Sequence, residues 1–491
     1  MNPPRERMGS TLLLAYASTG VSQVVNQTFF FILLKYIPIE GVGLYSLAVA
    51  IATIFTYVMD LGLPPFLVGE LSKHRYQLKT VLGAVLLLRL PVLLLGVATA
   101  AVWVAVGHPS KTEFSTLSLV TLTYIVQMLD GGIVPWFQAT QRQNTANLLA
   151  MIVPLARLGC ILCVLSFDTS MTLNQVVWIS LLAQIVGSCC LLGTAWWKQT
   201  SSLSNGEAGS VRQLMQRFRS RGPGLAVMYS VNILQARLDW ILVSVLISDV
   251  ALAGYSVANK VIEMAMLVAA IWARTSFPWL SQTDLQDNVT RTKLTFLRRL
   301  FILSTGLSGV ILFFWSQPLL AAFFGSKFAD AYLSLAILTM ATAVFMQNQY
   351  FLYELLSFGL EKIYTRVILA ASIVQVALNV FLLPRIGVKG AALALVLTGV
   401  LIHAGQMALL ISKGQLRVSE VVRMNLFGII IIGGLLTAWT LRVTPLLGTV
   451  LLTPLTMLLG FALLFSLDDR TYFAACYSWM RHAIGLGRST P

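Results

Sequence analysis

Residues 390–412 read GAALALVLTGVLIHAGQMALLIS, 23 residues between Lys389 and Lys413 without a single Asp, Glu, Lys or Arg. As a helix this run rises about 34 Å, enough to cross the ~30 Å hydrocarbon core of a bilayer. A barrel strand would alternate apolar and polar residues, and this run does not. It reads as a helix whose surrounding solvent is lipid, where every backbone polar group has to be satisfied within the segment itself.

The same reading extends outward along the chain. Comparable runs lie near 10–34, 44–67, 80–106, 115–137, 146–166, 175–197, 223–247, 251–277, 300–325, 332–357, 365–384, 389–412, 424–442 and 446–467, fourteen in all. The composition agrees: 57% of the 491 residues are hydrophobic and 11% charged, with a mean hydropathy of +0.80, more apolar surface than a soluble core could hide. The expectation is an all-α polytopic membrane protein of about fourteen transmembrane helices. Arg5 and Arg7 precede a first run too long for a signal-peptide core, so that run is expected to remain as a span.

The formal charge of +15 does not point to nucleic acid, because the 34 Lys and Arg are scattered through short connections instead of forming one basic face. Taken in alternate connections, 23 fall in the set that includes the N-terminus and six in the other, with five inside the spans. Basic residues are retained on the cytoplasmic side, so both termini are expected there. Adding or removing one span would invert every later connection and erase the bias.

The longest polar connection, Lys198 to Gly224, follows the sixth span and is rich in Ser, Gly and Arg. A weak repeat flanks it: Leu44-Tyr45-Ser46-Leu47-Ala48 opens the second run and Gly254-Tyr255-Ser256-Val257-Ala258 the eighth. The expected organisation is an N-lobe of six spans (1–200), a cytoplasmic linker (201–221), a C-lobe of six spans (222–412), and a final helix pair with a cytoplasmic tail (413–491). Within the tail, Tyr472 to Leu486 reads either as a helix lying on the inner surface or as a frayed end.

Three short patterns carry a resemblance. Gly41-Val42-Gly43-Leu44-Tyr45-Ser46-Leu47-Ala48 is followed by Asp60-Leu61-Gly62-Leu63; Arg237-Leu238-Asp239 by Gly254-Tyr255-Ser256-Val257-Ala258; and Asn379, Leu383-Pro384, Gly387 and Gly390-Ala391-Ala392 form a third stretch. In this order the chain resembles, over nearly its whole length, the Wzx-type flippases of the polysaccharide-transport branch of the multidrug/oligosaccharidyl-lipid/polysaccharide (MOP) exporter superfamily. The resemblance implies two helical bundles in a V shape that open alternately to either face of the cytoplasmic (inner) membrane. It implies as cargo a polyprenyl-diphosphate-linked oligosaccharide, specifically one on undecaprenyl diphosphate. Membrane lipid would be a second partner, and a polymerase and glycosyltransferases of the same pathway would be others.

The charged residues inside the spans suit such a cargo. A charge at bilayer depth costs about 2.5–3.5 kcal/mol on insertion scales and therefore faces a partner or a cavity. Arg89, Arg157, Arg237 and Lys260 fall near mid-membrane and are candidate ligands of the lipid diphosphate, since guanidinium groups replace phosphate hydration bidentately. Asp60, Asp130, Asp239 and Glu263 are candidate groups for a coupling ion. The alternative for each cation is to neutralise one of these acids or Glu354. Lys260 and Glu263, three apart on one helix face, suit mutual pairing, and Asp60 suits a helix-end role. Two amide clusters, Gln23, Asn26 and Gln27, and Gln347, Asn348 and Gln349, suit either a sugar-tolerant lining or bonds between helices.

Catalytic equipment is missing. There is no phosphate-binding G-x-x-x-x-G-K-[ST] loop, and the histidines His74, His108, His403 and His482 lie far apart, so neither a cofactor nor a metal is expected. Cys160 and Cys163 have CxxC spacing inside an apolar run, where they read as small hydrophobes. Trp103, Trp136, Trp178, Trp196, Trp197 and Trp315 sit near span ends, as an interfacial belt requires. Outer connections of about ten residues or fewer argue against a membrane glycan polymerase. A multidrug-type exporter would favour acidic cavity residues, and a flippase for a lipid-linked peptidoglycan precursor would share the diphosphate chemistry. A cytoplasm-active reporter fused after Arg219 should be active and one at Lys111 silent; equal activity at the two sites would overturn the orientation.

Overall fold

The computed structural model describes residues 5–60, 62–71, 77–107, 110–139, 142–167, 171–200, 210–282, 288–328 and 331–465. Among these residues the regular elements are α1 (Arg5–Tyr36), α2 (Ile39–Asp60), α3 (Leu63–Leu71), α4 (Leu78–Gly107), α5 (Lys111–Ala139), α6 (Gln143–Ala150), α7 (Ile152–Phe167), α8 (Leu173–Thr200) and α9 (Val211–Leu246). They continue with α10 (Asp249–Gln282), α11 (Asn288–Phe324), a 3-10 turn at Gly325–Phe328, α12 (Ala331–Met340), α13 (Thr342–Ser357), α14 (Glu361–Ile386), α15 (Val388–Ser412), α16 (Val418–Thr440) and α17 (Pro445–Leu464). The chain is all-helical over the described residues, as a lipid solvent demands.

Each apolar run of the sequence falls on one helix or on a joined pair. Among the described residues ten segments are long and apolar enough to cross a bilayer, and eleven when α12 and α13, bent by 52° at Ala341, count as one span. The expected figure of fourteen adds α1, α4 and α9, which coincide with the first, third and seventh runs but are not among those eleven. The tail segment 472–486 and Cys476 lie outside the described residues. Cys160 and Cys163 are free and exposed. Trp178, Trp196, Trp197 and Trp315 are exposed, whereas Trp136 departs from the belt expectation: it is buried, edge-to-face with Phe137 at 5.4 Å.

Two of the glycines in the quoted patterns owe their place to backbone conformation. Gly62 (φ 65°) and Gly387 (φ 63°) take the left-handed conformation that ends α2 and α14, where a side chain would strain the turn. Pro64 and Pro65 then occupy the first turn of α3, whose N–H groups have no intrahelical acceptor to lose.

The weak repeat has a physical counterpart. α1 and α9 end at Tyr36 and Leu246, and α2 and α10 begin at Ile39 and Asp249, both with the 210-residue separation of the repeat. The repeated serines touch: Ser46 Oγ donates to Ser256 Oγ at 3.0 Å, both buried. Close approach is possible because position 43 is glycine; a Cβ there would collide with the backbone of Asp249.

By contacts the chain divides into two compact units, one of residues 1–257 with 368–394 and the other of 258–367 with 395–491. In the first, an apolar core joins α3, α4, α5, α8 and α9, with Phe66 and Phe218 edge-to-face at 5.2 Å. α9 starts well before the apolar run that marks it. Ser210 and Gln213 form a reciprocal capping box, and the 36-residue helix is about 54 Å long. Its early arginines hide its amphipathic start in the sequence, yet Leu214 and Phe218 are buried and Arg217 pairs with Glu70 of α3. The polar connection is therefore helical from Val211 onward.

The second unit packs around α11, against which α12, α13, α16 and α17 lie. At its centre Arg298 of α11 grips Glu354 of α13, with Nε donating to both carboxylate oxygens at 2.9 and 3.1 Å and a terminal nitrogen donating to one of them as well. Its other terminal nitrogen donates to the Gln415 carbonyl at 3.1 Å, and both side chains are fully buried. Breaking such a pair strands a charge, whereas replacing both partners is tolerated. Arg298→Met should cost about 3–5 kcal/mol in thermal unfolding of the detergent-solubilised protein, and adding Glu354→Leu should recover most of it.

Candidate functional site

Arg89 of α4 is buried and ion-paired with Asp60, the last residue of α2, while its other terminal nitrogen donates to the Met128 carbonyl of α5. Glycine at 131 makes room for this guanidinium, which a Cβ there would crowd. Among the sequence candidates, this cation is neutralised within the chain.

Arg157 is treated differently. It is the fourteenth residue of the 24-residue span Asn144–Phe167, close to its middle. Its guanidinium donates to the Asn26 side-chain carbonyl of α1 and lies over the Phe29 ring, 4.1 Å from the centroid. Phe29 in turn packs edge-to-face on Tyr45 at 6.3 Å. Among the described residues no carboxylate pairs with Arg157, and its Nε is buried without a hydrogen-bond partner. α7 packs chiefly on α8 and α1, and α6, α7, α8 and all of α1 beyond Glu6 contain no Asp or Glu.

The remaining candidates divide between the two units. In the first, Asp130 of α5 accepts from Gln184 at 3.0 Å, and Gln184 also donates to Ser188 at 3.1 Å; the second Asp130 oxygen is buried without a donor. Arg237 of α9 lies over the Trp240 ring at 4.5 Å. Asp239, two residues on, turns to Tyr255, whose hydroxyl donates to it at 2.5 Å, and also accepts the Trp240 N–H at 3.0 Å. In the second unit Lys260 and Glu263 pair at 2.6 Å within one helix face.

The amide clusters serve as bonds between helices where their partners are described. Gln347 donates to Thr305 at 3.1 Å and Asn348 to the Gly399 carbonyl at 2.8 Å, with His403 and Gln406 also bonded to Asn348. Asn26 carries Arg157, and the buried Gln27 carbonyl has no donor. Sequence reasoning missed Phe29, although its place one turn from Asn26 on α1 was a readable signal. The expected span begins at residue 300, so Arg298 falls just outside it and its buried pairing with Glu354 was not foreseen. Among the described residues no cluster of three or more His, Cys, Asp or Glu could hold a metal.

Residues 10–284, more than half of the chain, match a family model described as polysaccharide biosynthesis protein. The fold is similar to that of the lipid II flippase MurJ in an inward closed conformation, with a TM-score of 0.66 at 13% identity over 94% of this chain and 100% of that one. It is also similar to the MATE multidrug transporter DinF-BH (TM-score 0.61, 15% identity, 83% of this chain and 96% of that one). A third likeness is to a MOP superfamily transporter from Pyrococcus furiosus (TM-score 0.52, 10% identity, 87% and 95%). No curated protein matches.

The contrast between two arginines is open to measurement. Arg89→Ala leaves Asp60 without its cation and should lower stability by about 3 kcal/mol or more. Asp60→Asn added to it should restore the steady-state protein level, while Arg157→Ala should be as abundant as the unaltered protein; immunoblots of membranes check all three.

Proposed function

Because this chain belongs to the polysaccharide biosynthesis protein family, we propose that it is a flippase that carries polyprenyl-diphosphate-linked oligosaccharide across the cytoplasmic membrane for surface or exopolysaccharide synthesis. It is a multi-pass membrane protein with the MOP transporter fold. The observation that carries the cargo assignment is Arg157, a guanidinium in the middle of a span with an amide, an aromatic ring and no acid around it. A charge so placed is costly unless an anion comes to it, and a diphosphate crossing the bilayer brings one.

Both termini lie in the cytoplasm in this reading, and glycosyltransferases supply the loaded lipid inside while a polymerase consumes it outside. Transport proceeds by alternating access. The chain's own residues supply no nucleotide site, so the driving force is the cargo gradient or an ion, for which Asp130, with one unsatisfied buried oxygen, is better suited than the paired Asp60 or Glu263.

Deleting the gene should make lipid-linked oligosaccharide accumulate on the inner leaflet and remove the surface glycan, and a plasmid copy should reverse both. Accumulation of a lipid-linked peptidoglycan precursor instead would transfer the assignment to that cargo. Unchanged glycans together with lost efflux of cationic dyes would establish the multidrug reading.

A further inference from the structure

We infer that Asn26 and Phe29 are positioning residues that keep Arg157 charged and unneutralised as the site for a cargo phosphate. The inference rests on the flippase reading and adds to it which residues create the site and why they are an amide and an aromatic ring.

The guanidinium groups of Arg89, Arg298 and Arg157 are handled in two ways. Arg89 and Arg298 each meet a carboxylate, so the net charge at those places is zero. Arg157 meets the Asn26 carbonyl, which accepts a hydrogen bond but cancels no charge. Asn and Asp have nearly the same shape, so an acid at position 26 would fit the same geometry and would silence the cation.

Phe29 supplies the second constraint. With the guanidinium carbon 4.1 Å from its centroid, the ring supports one face of the planar group. The ring is itself buried and braced by Tyr45. A guanidinium held on one face by a ring and by one hydrogen bond keeps the rest of its donor fork in a fixed plane, the geometry that phosphate oxygens match bidentately. The buried, unpartnered Nε belongs to that fork.

The helices that pack on α7 add to the arrangement: α6, α7, α8 and α1 beyond Glu6 offer no carboxylate from which a rotamer change could supply a partner. The ligand class that fits is a phosphate monoester or diphosphate ester on a lipid. A neutral sugar would leave the charge uncompensated.

The test uses the purified full-length protein in detergent, with farnesyl diphosphate as the probe and farnesol as its uncharged control. Unaltered protein should prefer the diphosphate, and added salt should weaken that preference. Asn26→Asp should lose diphosphate affinity about tenfold or more, lose the salt dependence, and melt no lower than the unaltered protein because it gains an ion pair. Asn26→Gln, with the amide kept, should retain binding within about threefold. Arg157→Ala should bind as poorly as Asn26→Asp, and combining the two should cost nothing further. Phe29→Leu, which alters no charge, should weaken the diphosphate about threefold and leave farnesol unchanged, giving a second variant should the aspartate misfold. Diphosphate binding by folded Asn26→Asp at the unaltered level would overturn the inference, as would an unaltered protein indifferent to the diphosphate. Neither result alters the inner-leaflet accumulation of lipid-linked oligosaccharide, by which the flippase reading is judged separately.

Discussion

In a bilayer there is no water to solvate what a side chain or backbone leaves unsatisfied, and that single constraint organises this protein. It makes the described chain helical, and Gly62 and Gly387 end two of its helices in a left-handed backbone without strain. It also forces a decision at every buried charge. Glu354 and Asp60 answer it with arginine, Asp239 with a tyrosine hydroxyl and a backbone N–H, and Lys260 with an acid on its own helix.

The exception gives the rest its meaning. Among the arginines singled out from the sequence, Arg157 lies on an apolar helix packed on α8 and on the part of α1 beyond Glu6, which contain no acid, and it is held by groups that fix its direction without reducing its charge. The carboxylates that meet Arg89 and Arg298 are the contrast on which the proposed role of Arg157 rests. Stability and the proposed function then separate on physical grounds: the paired charges hold helices together, and Arg157 is the cation proposed to meet a ligand.

Much of this was legible in the sequence. The apolar runs gave the helices because lipid leaves few alternatives at that length, and the repeated Tyr-Ser segments gave a correspondence that the matching helix ends and the Ser46–Ser256 contact express in space. Lys260 and Glu263 could be paired because helical spacing alone brings them together. What spacing does not encode is which distant residues meet. Arg298 looked like one more basic residue of an inner connection until α13 brought Glu354 to it, and the amphipathic start of α9 was hidden by arginines whose hydrophobic neighbours face inward. Asn26 was visible as one amide among three; that it alone of them receives a guanidinium depends on the packing of α1 against α7.

The serine contact carries one more implication. Ser46 and Ser256 are the same residue of the two repeats, yet a hydrogen bond has a direction: Ser46 donates, and Ser256 passes its own proton to the Ala253 carbonyl of its helix. Two copies of one motif cannot occupy equivalent states where they meet, so perfect symmetry is broken by a single proton at the point of contact. Removing either hydroxyl removes the bond, so a substitution at one serine is felt at once by the other Tyr-Ser segment.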